Sequence, residues 1–188
     1  MSWIGRYKES WSNPWYKDSQ HKQFELVDRY LKIPPKRLLD IGAGYAYISQ
    51  LFQEKYGTEL YLLDGDFDGN LKRHNKYGNS DSMSFYGQLK DLRSHYDSQK
   101  LNYVQVDANN IDLTTDIKFD FICSWLSCGF HYPVNTYKDL IKKHSNDDTV
   151  TIMDIRRKTL PNQSKDFNVI NIISENHKYS KVHFNFND

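Results

Sequence analysis

Three aspartates, each at the end of an apolar run, have the types and spacing that ligand chemistry needs. Asp40 closes the run RLLD and is followed by Ile41 and the turn Gly42-Ala43-Gly44. Glycines between a strand and a helix let a ligand approach the backbone, and a helix N-terminus favours anionic groups. An acid just before the glycines instead repels a pyrophosphate and attracts a cation. The pattern therefore favours a binding site for a ligand with an amino group or a sulfonium. The less favoured interpretation is a plain strand-to-helix turn that binds nothing.

The other two aspartates follow in order along the chain. Asp64 closes LYLLD, 20 residues after Gly44, where an acid can accept both hydroxyls of a ribose. Asp107 closes YVQVD, where a carboxylate can accept from an adenine amino group. Ligands of open α/β sheets bind at the carboxyl ends of strands, near the switch in strand order. The three acids together predict one nucleoside-binding crevice.

The elements that must position these residues alternate between short apolar runs and helical patterns from residue 36 onward. This alternation is typical of a parallel α/β sheet. Helices are predicted at 45–56, 85–96 and 135–144. Strands are predicted at 37–41, 60–64, 103–106, 119–124, 149–155, 167–174 and 180–186, the last two as an antiparallel hairpin.

The first 35 residues differ in character and are predicted to form an N-terminal helical and aromatic cap. Aromatic residues recur at every fourth position (Trp3, Tyr7, Trp11, Trp15), and Pro14 limits any helix there. A second apolar face follows (Phe24, Val27, Tyr30, Leu31). Two interpretations stay open: both faces dock on the main domain, 36–188, or the segment forms a lid over the crevice.

Composition excludes several classes of protein. The 188 residues carry a net charge of +1, whereas a nucleic-acid-binding protein normally has an excess of basic residues. No DNA partner is therefore expected. No apolar run is long enough for a membrane span, and the N-terminus lacks the apolar region of a signal peptide. Cys123 and Cys128, the two cysteines, are too few for a disulfide framework. The sequence predicts a soluble, cytoplasmic protein of open oligomeric state.

Four motifs carry a resemblance to a known family. LLDIGAGYA, LYLLDGD, VQVDA and FDFICSWLS resemble, in order, the four motifs of the class I S-adenosylmethionine-dependent methyltransferases. The resemblance covers about residues 36–188. It implies a Rossmann-like three-layer α/β sandwich with a seven-stranded, mostly parallel sheet of order 3214576 and an antiparallel C-terminal hairpin.

The resemblance also assigns roles position by position toward S-adenosylmethionine, with S-adenosylhomocysteine as the product. It places Asp40, Gly42 and Gly44 at the methionine end of the cofactor and Asp64 on the ribose. Asp107 falls on the adenine amino group with Ala108 beside it, and Ser124 falls near the methyl sulfonium. The sequence departs from the family's pattern in two places. Ala46 stands where the longer motif has a third glycine, which is expected to narrow the cofactor pocket slightly. The stretch 156–166 is so short that the helix usual there is expected to be reduced to a turn.

The acceptor is less well defined by the sequence. The loop after the fourth strand lacks the Asn/Asp-Pro-Pro-Tyr/Phe signature of amino-directed nucleic-acid enzymes, which disfavours DNA base methylation. It resembles the loop of small-molecule or sugar O-methyltransferases of bacterial and phage type. His131 in this loop is the first candidate base, because imidazole titrates near neutral pH, and His21 is a weaker candidate. The alternative for each histidine is a structural role.

The sequence therefore predicts a methyltransferase for a small-molecule acceptor, with O-methylation as the expected reaction. No metal site is predicted, because the histidines are scattered and no Cys/His pair has ligand spacing. Two alternatives remain open: a cofactor-binding regulatory or partner domain without catalysis, and a methyltransferase of protein or RNA. A nicotinamide-dependent oxidoreductase shares the ribose acid but is disfavoured by Asp40 and by the terminal hairpin.

Overall fold

The computed structural model describes residues 13–66, 88–114 and 116–187. Of the aromatic face predicted in the first 35 residues, Trp3, Tyr7 and Trp11 lie outside the described residues. The strands are β1 (Arg37–Ile41), β2 (Glu59–Asp64), β3 (Tyr103–Asp107), β4 (Phe121–Ser124), β5 (Val150–Arg156), β6 (Phe167–Glu175) and β7 (Tyr179–Phe186). The helices are α1 (Pro14–Tyr30), α2 (Tyr47–Tyr56), α3 (Leu89–Ser98), α4 (Lys138–His144) and α5 (Leu160–Gln163), with a 3-10 turn (Val134–Tyr137) before α4.

Within the described residues the strands form one seven-stranded sheet in the order β3-β2-β1-β4-β5-β7-β6. The first five strands are parallel, and β7 runs antiparallel to both β5 and β6. The chain leaves β1 toward β2 on one side and reaches β4 on the other, so the switch in strand order lies at β1. This arrangement confirms the predicted Rossmann-like fold and its 3214576 order.

Apolar side chains from the two faces of the sheet build two cores. Leu38 of β1 and Leu60 of β2 pack with residues of α1, α2 and α3 on one face. Leu39 of β1 packs on the other face with side chains from the 3-10 turn, α4 and the hairpin. Alternation along a strand explains this division, because successive side chains point to opposite faces.

Helix α1 begins at Pro14, where the proline that was expected to limit a helix starts one instead. Proline is suited to the first helical position, because its missing N–H would have no partner there. The Asn13 side chain accepts the N–H of Trp15 at 2.9 Å and caps the end. Phe24 and Val27 are buried in the same core as β1 and β2, so this face of the helix docks on the sheet.

Two other predictions are corrected in detail. The helix predicted at 135–144 is a 3-10 turn followed by the seven-residue helix α4. Its first hydrogen bond runs from Thr136 N–H to the Pro133 carbonyl, the tighter i to i+3 pattern. The stretch predicted as a turn at 156–166 contains the short helix α5. No helix in the described ranges combines the length and the apolarity that crossing a membrane requires.

Candidate functional site

The glycine turn joins β1 to α2 at the switch point of the sheet. Gly42 and Gly44 have φ angles of +72° and +52°, a left-handed backbone that glycine adopts without a Cβ clash. The N–H groups of Gly42 and Ala43 both donate to the Leu63 carbonyl, at 2.7 and 3.0 Å. Ala46 is also left-handed, at φ +51°, and buried, so the place of the third glycine keeps a glycine-like backbone. The turn is thereby fixed to the end of β2.

Asp40 lies beneath this turn and is fully buried. The Ser49 hydroxyl of α2 donates to its Oδ2 at 2.6 Å. Burial raises the pKa of Asp40 to about 7, and the charge of Asp64 adds to this, while the Ser49 hydroxyl and the Cys123 thiol oppose it. Asp40 therefore contributes a buried acid under the turn rather than a side chain on an open surface.

Asp64 connects the turn to the end of β2. Its Oδ2 accepts the Gly44 N–H at 2.7 Å and its Oδ1 accepts the Gly65 N–H at 2.8 Å. Burial raises the pKa of Asp64 to about 6, although these two amide hydrogen bonds lower it. A carboxylate has about four lone-pair sites, so these two hydrogen bonds leave two of them unused.

Asp107 ends the neighbouring strand, as predicted. It pairs directly with Asp64 in the parallel register of β2 and β3, and its Oδ1 accepts the Asn109 N–H at 2.8 Å. The Ala108 N–H donates to the Asp64 carbonyl at 2.8 Å. The predicted cofactor residues of β1, β2 and β3 thus lie at one edge of the sheet.

Ser124, at the end of β4, is fully buried and holds the chain that follows. Its hydroxyl donates to the Ile41 carbonyl at 2.7 Å and accepts the Cys128 N–H at 2.8 Å. Both contacts tie the loop after β4 to the end of β1. The two contacts align the loop after β4 with the end of β1, and they give Ser124 no direct role at a methyl group.

The loop after β4 lies directly on the glycine turn through Ser127. A Cβ added at Gly42 would lie 1.9 Å from Ser127 Oγ, so only glycine fits beneath this loop. Ser127 Oγ and Tyr132 Oη are hydrogen-bonded at 3.1 Å. The two hydroxyls were not among the predicted site residues, and no spacing in the sequence indicates that they meet Gly42.

A cavity of about 490 Å³ opens beside the turn, a volume within the range of small-molecule sites. Gly42 and Gly44 line it, whereas the other predicted cofactor residues lie outside its lining (Asp40, Asp64, Asp107, Ala108, Ser124). Its lining comes from α1, the turn, the start of α2, α3 and the residue after β4 (Tyr16, Lys17, Gln20, Gly42, Ala43, Gly44, Tyr45, Ala46, Tyr47, Ile48, Gln50, His95, Gln99, Trp125).

Several lining residues were absent from the predicted site. Gln20 of α1 lies one helical turn after Tyr16 and Lys17, and this spacing is a signal in the sequence that places the three side chains on one face of the helix. His95 and Gln99 share the same i, i+4 relation on α3 and its end. Nothing in the sequence indicates that α3 approaches the turn, because the contact, from the Tyr96 hydroxyl to the Gly44 carbonyl, joins segments that are distant along the chain.

The two candidate bases lie in different places. His131 is in the loop after β4 but does not line the cavity, and burial together with the Arg156 charge lowers its pKa to about 4. His21 is exposed on α1 and lines a shallower groove of about 310 Å³ that shares Lys17 and Tyr47 with the cavity. The structure does not bring the two histidines together.

The residues present fit S-adenosylmethionine. The glycine turn lines the cavity, and the two buried acids behind it, Asp40 and Asp64, suit a cationic ligand better than a pyrophosphate. In the described ranges, no group of three or more His, Cys, Asp or Glu side chains is arranged to hold a metal ion.

Known proteins resemble this chain in structure and not in sequence. A scan against protein-family models and a search of the curated proteins give no match. Among solved structures, the PH0226 protein from Pyrococcus horikoshii OT3 matches with a TM-score of 0.65 and 14% identity, over 94% of this chain and 93% of that one. The ribosomal protein L11 methylase from Lactobacillus delbrueckii subsp. bulgaricus matches with a TM-score of 0.57 and 14% identity, over 90% and 79%.

A third match is the plantazolicin methyltransferase BpumL, whose structure contains a triazolic desmethylPZN analog and SAH (S-adenosylhomocysteine). The TM-score is 0.53 at 12% identity, over 93% of this chain and 57% of that one. At these identities the likeness concerns the fold alone. The chain has the Rossmann-like fold found in S-adenosylmethionine-dependent methyltransferases, with the glycine turn and the acids in the order that its sequence predicts.

Proposed function

We propose that this protein is an S-adenosylmethionine-dependent methyltransferase that methylates a small-molecule acceptor, with a hydroxyl group as the expected target. One observation carries the proposal. Two buried carboxylates, Asp40 and Asp64, lie beneath a glycine turn that lines a cavity. Acids behind the turn disfavour a pyrophosphate and favour a ligand that carries positive charge. The fold shared with known methyltransferases is consistent with this proposal.

When bound, the cofactor would supply the methyl group from its sulfonium. The chain's own residues bind and orient: Asp64 offers two acceptor positions to the ribose hydroxyls, and Lys17 lies at the cavity wall with an ammonium suited to the carboxylate of the methionine end. Methyl transfer is an in-line displacement, so positioning and exclusion of water can supply most of the rate. A base is needed only where the acceptor retains its proton.

Calorimetric titration with S-adenosylmethionine, S-adenosylhomocysteine and NAD tests the cofactor. We expect both adenosyl ligands to bind and NAD not to bind. Asp64→Ala should weaken binding by about 1–3 kcal/mol, because it removes acceptors from hydroxyls and amides that stay buried. Failure of both adenosyl ligands to bind the wild-type protein would overturn the proposal.

The acceptor class rests on separate arguments. The net charge of +1 gives the chain no basic excess for nucleic acid, and the loop after β4 lacks the Asn/Asp-Pro-Pro-Tyr/Phe signature of amino-directed nucleic-acid enzymes. The L11 methylase, which shares the fold, is named for a protein acceptor. A methyl-transfer screen that compares metabolites with ribosomal proteins and RNA separates these classes; turnover confined to a macromolecule would contradict the small-molecule assignment.

One observation favours a second candidate, a cofactor-binding domain without catalysis. The pKa of His131 is lowered to about 4, which makes its imidazole a weak proton acceptor at neutral pH. His131→Ala separates the two in the same screen. Loss of turnover with intact S-adenosylhomocysteine binding supports His131 as the base, whereas cofactor binding without turnover on any acceptor supports the second candidate.

A further inference from the structure

A buried ion pair lies behind Trp125, the first residue after β4 and part of the cavity lining. Lys181 of β7 pairs with Asp154 of β5 in the antiparallel register, and its side chain is fully buried. Its Nζ bonds to Asp154 Oδ1 at 2.6 Å and lies 4.1 Å from the centroid of the Trp125 ring. The ammonium therefore contacts the carboxylate and the indole ring together, although neither Asp154 nor Lys181 lines the cavity.

The same carboxylate also holds the backbone of the next residue. Asp154 accepts the Leu126 N–H; burial raises the pKa of Asp154, while Lys181 and this N–H oppose the rise. Leu126 has a φ of +53°, a left-handed backbone that costs free energy in a residue with a Cβ. Such a conformation persists only where its surroundings enforce it. The pair thus fixes Trp125 twice, through the face of its ring and through the residue that follows it.

The indole ring has few other polar anchors. A buried Trp N–H usually has a hydrogen-bond partner, but Trp125 Nε1 has none among the described residues. The Lys181 ammonium, shielded from water against the ring face, is then the directional contact that orients the indole. The rest of the loop is held separately, because Arg156 donates from Nε to the Phe130 carbonyl at 3.0 Å. Loss of the pair should therefore release Trp125 and not the whole loop.

Stability alone does not account for an ion pair in this place. Burial of a lysine and an aspartate carries a desolvation cost, and well-packed apolar side chains in place of such a pair often leave stability unchanged or raise it. Removal of one partner is different, because it leaves an uncompensated buried charge. What the pair supplies here is one fixed position for a ring in the cavity wall.

We propose that Asp154 and Lys181 are positioning residues of the cavity, which act on the bound cofactor through Trp125. This inference rests on the proposed methyltransferase function, since it takes the ligand of the cavity to be the cofactor. Binding groups hold a ligand well only where a supporting layer of side chains locks them in place. A fixed indole keeps the shape of the space that the ligand occupies, so affinity depends on a pair that the ligand does not touch.

A thermodynamic cycle, measured by calorimetry with S-adenosylhomocysteine, tests the inference. The pair variant is Asp154→Leu/Lys181→Met, which removes both charges and keeps apolar side chains in their place. It is made in the wild-type protein and in a Trp125→Leu background. The matched control is Asp28→Leu/Lys55→Met. Lys55 bonds to Asp28 at 2.6 Å and also lies over an aromatic ring, so the control removes an equivalent set of contacts outside the cavity lining.

We expect the pair variant to unfold at the urea concentration of the wild-type protein or higher, and to bind S-adenosylhomocysteine about tenfold more weakly. In the Trp125→Leu background the same replacement should change the affinity by no more than about twofold, because the ring through which the pair acts is gone. The control variant should bind like the wild-type protein. An equal loss in both backgrounds, or wild-type affinity in the pair variant, would overturn the inference.

Fluorine NMR of protein labelled with fluorotryptophan gives a second measurement, which needs no ligand. The Trp125 signal, identified by its loss in Trp125→Leu, should be a single line in the wild-type protein and the control, and should move or split in the pair variant. An unchanged signal would overturn the inference. If S-adenosylhomocysteine does not bind the wild-type protein, the proposed function fails, and this signal still judges the positioning of Trp125 by itself.

A second pair variant covers the case in which Asp154→Leu/Lys181→Met does not fold. Asp154→Asn/Lys181→Met also removes both charges, but its amide oxygen can still accept the Leu126 N–H. The same weaker binding and the same change of the Trp125 signal are expected. Failure of both variants to fold would mean that the pair serves stability, which would contradict a positioning role.

Discussion

Gly42 and Gly57 have nearly the same backbone but different surroundings. Their φ angles are +72° and +70°, yet a Cβ at Gly42 would collide with Ser127 while one at Gly57 would meet nothing within 4 Å. A side chain in the left-handed region costs about 1–2 kcal/mol, and overpacking adds about 1–3 kcal/mol. Comparing the two glycines therefore separates the cost of a left-handed backbone from the cost of the close contact between the glycine turn and the loop after β4.

We expect Gly42→Ala to lower the free energy of unfolding by about 2–5 kcal/mol and to weaken S-adenosylhomocysteine binding. Gly57→Ala should cost only about 1–2 kcal/mol and leave binding unchanged. Urea unfolding and calorimetry of the two variants measure this. Equal losses of stability would mean that Ser127 does not press on Gly42 in solution.

Asp64 should make cofactor affinity depend on pH. Its pKa is raised to about 6, so the carboxylate is ionised above that pH and protonated below it. The ionised form is the stronger acceptor for ribose hydroxyls, so binding favours it. Affinity should be nearly constant at high pH and fall as the pH drops through 6, and Asp40, with a pKa of about 7, should start the decline earlier.

Calorimetry with S-adenosylhomocysteine between about pH 5 and pH 8 checks this, with an expected limit of about tenfold per pH unit for each proton taken up. Asp64→Asn serves as the control, because an amide does not titrate; its weaker binding should vary less with pH. A wild-type affinity that rises toward low pH would contradict the assignment of Asp64.

At the scale of elements, helix α1 contributes side chains both to the core and to the wall of the cavity. Phe24 packs edge-on against Phe52 of α2, with centroids 4.9 Å apart, and Tyr30 Oη bonds to His183 Nδ1 of β7 at 2.8 Å. Tyr16 and Lys17 at the other end of the helix line the cavity. These contacts favour the docked helix over a separable lid.

Phe24→Ala should therefore lower the free energy of unfolding by about 3–5 kcal/mol and leave one cooperative transition. The control is Glu25→Ala, an exposed neighbour on the same helix, with an expected change within about 0.5 kcal/mol. Denaturant unfolding followed by fluorescence and by circular dichroism measures both. Two separate transitions, with the sheet unaffected by the substitution, would identify α1 as a detachable cap.

How well the sequence predicted each element depended on local signals. The strands were placed to within two residues, because each is a short apolar run bounded by turn residues. The strand predicted from 119 begins at Phe121, since the Asp120 carboxylate accepts the N–H groups of Lys36 and Arg37 before the ladder starts. The contacts of Ser127 with Gly42 and of Arg156 with Phe130 could not be predicted, because they join segments through the tertiary fold.

At the scale of the whole molecule, the aromatic surplus has two destinations. The chain has 14 Tyr, 10 Phe and 4 Trp, and the largest fully buried side chains include Tyr96, Phe52 and Phe121, so many of these rings form the core. Other rings line the cavity, among them those of Trp125 and Tyr16. Trp15, predicted within the aromatic face, is instead 75% exposed.

The cavity depends on the entire fold, since its walls come from α1, the turn after β1, α3 and the residue after β4. A ligand of this cavity binds the native state and not the unfolded chain, so binding must stabilise the whole molecule. At 100 times its dissociation constant, S-adenosylhomocysteine should add about 2.7 kcal/mol, which raises the melting temperature by roughly 5–10 °C in a domain of this size. Thermal unfolding with and without the ligand measures the shift. NAD should produce none and Asp64→Ala should reduce it, whereas an equal shift with NAD would mean that the acids beneath the turn do not select the ligand.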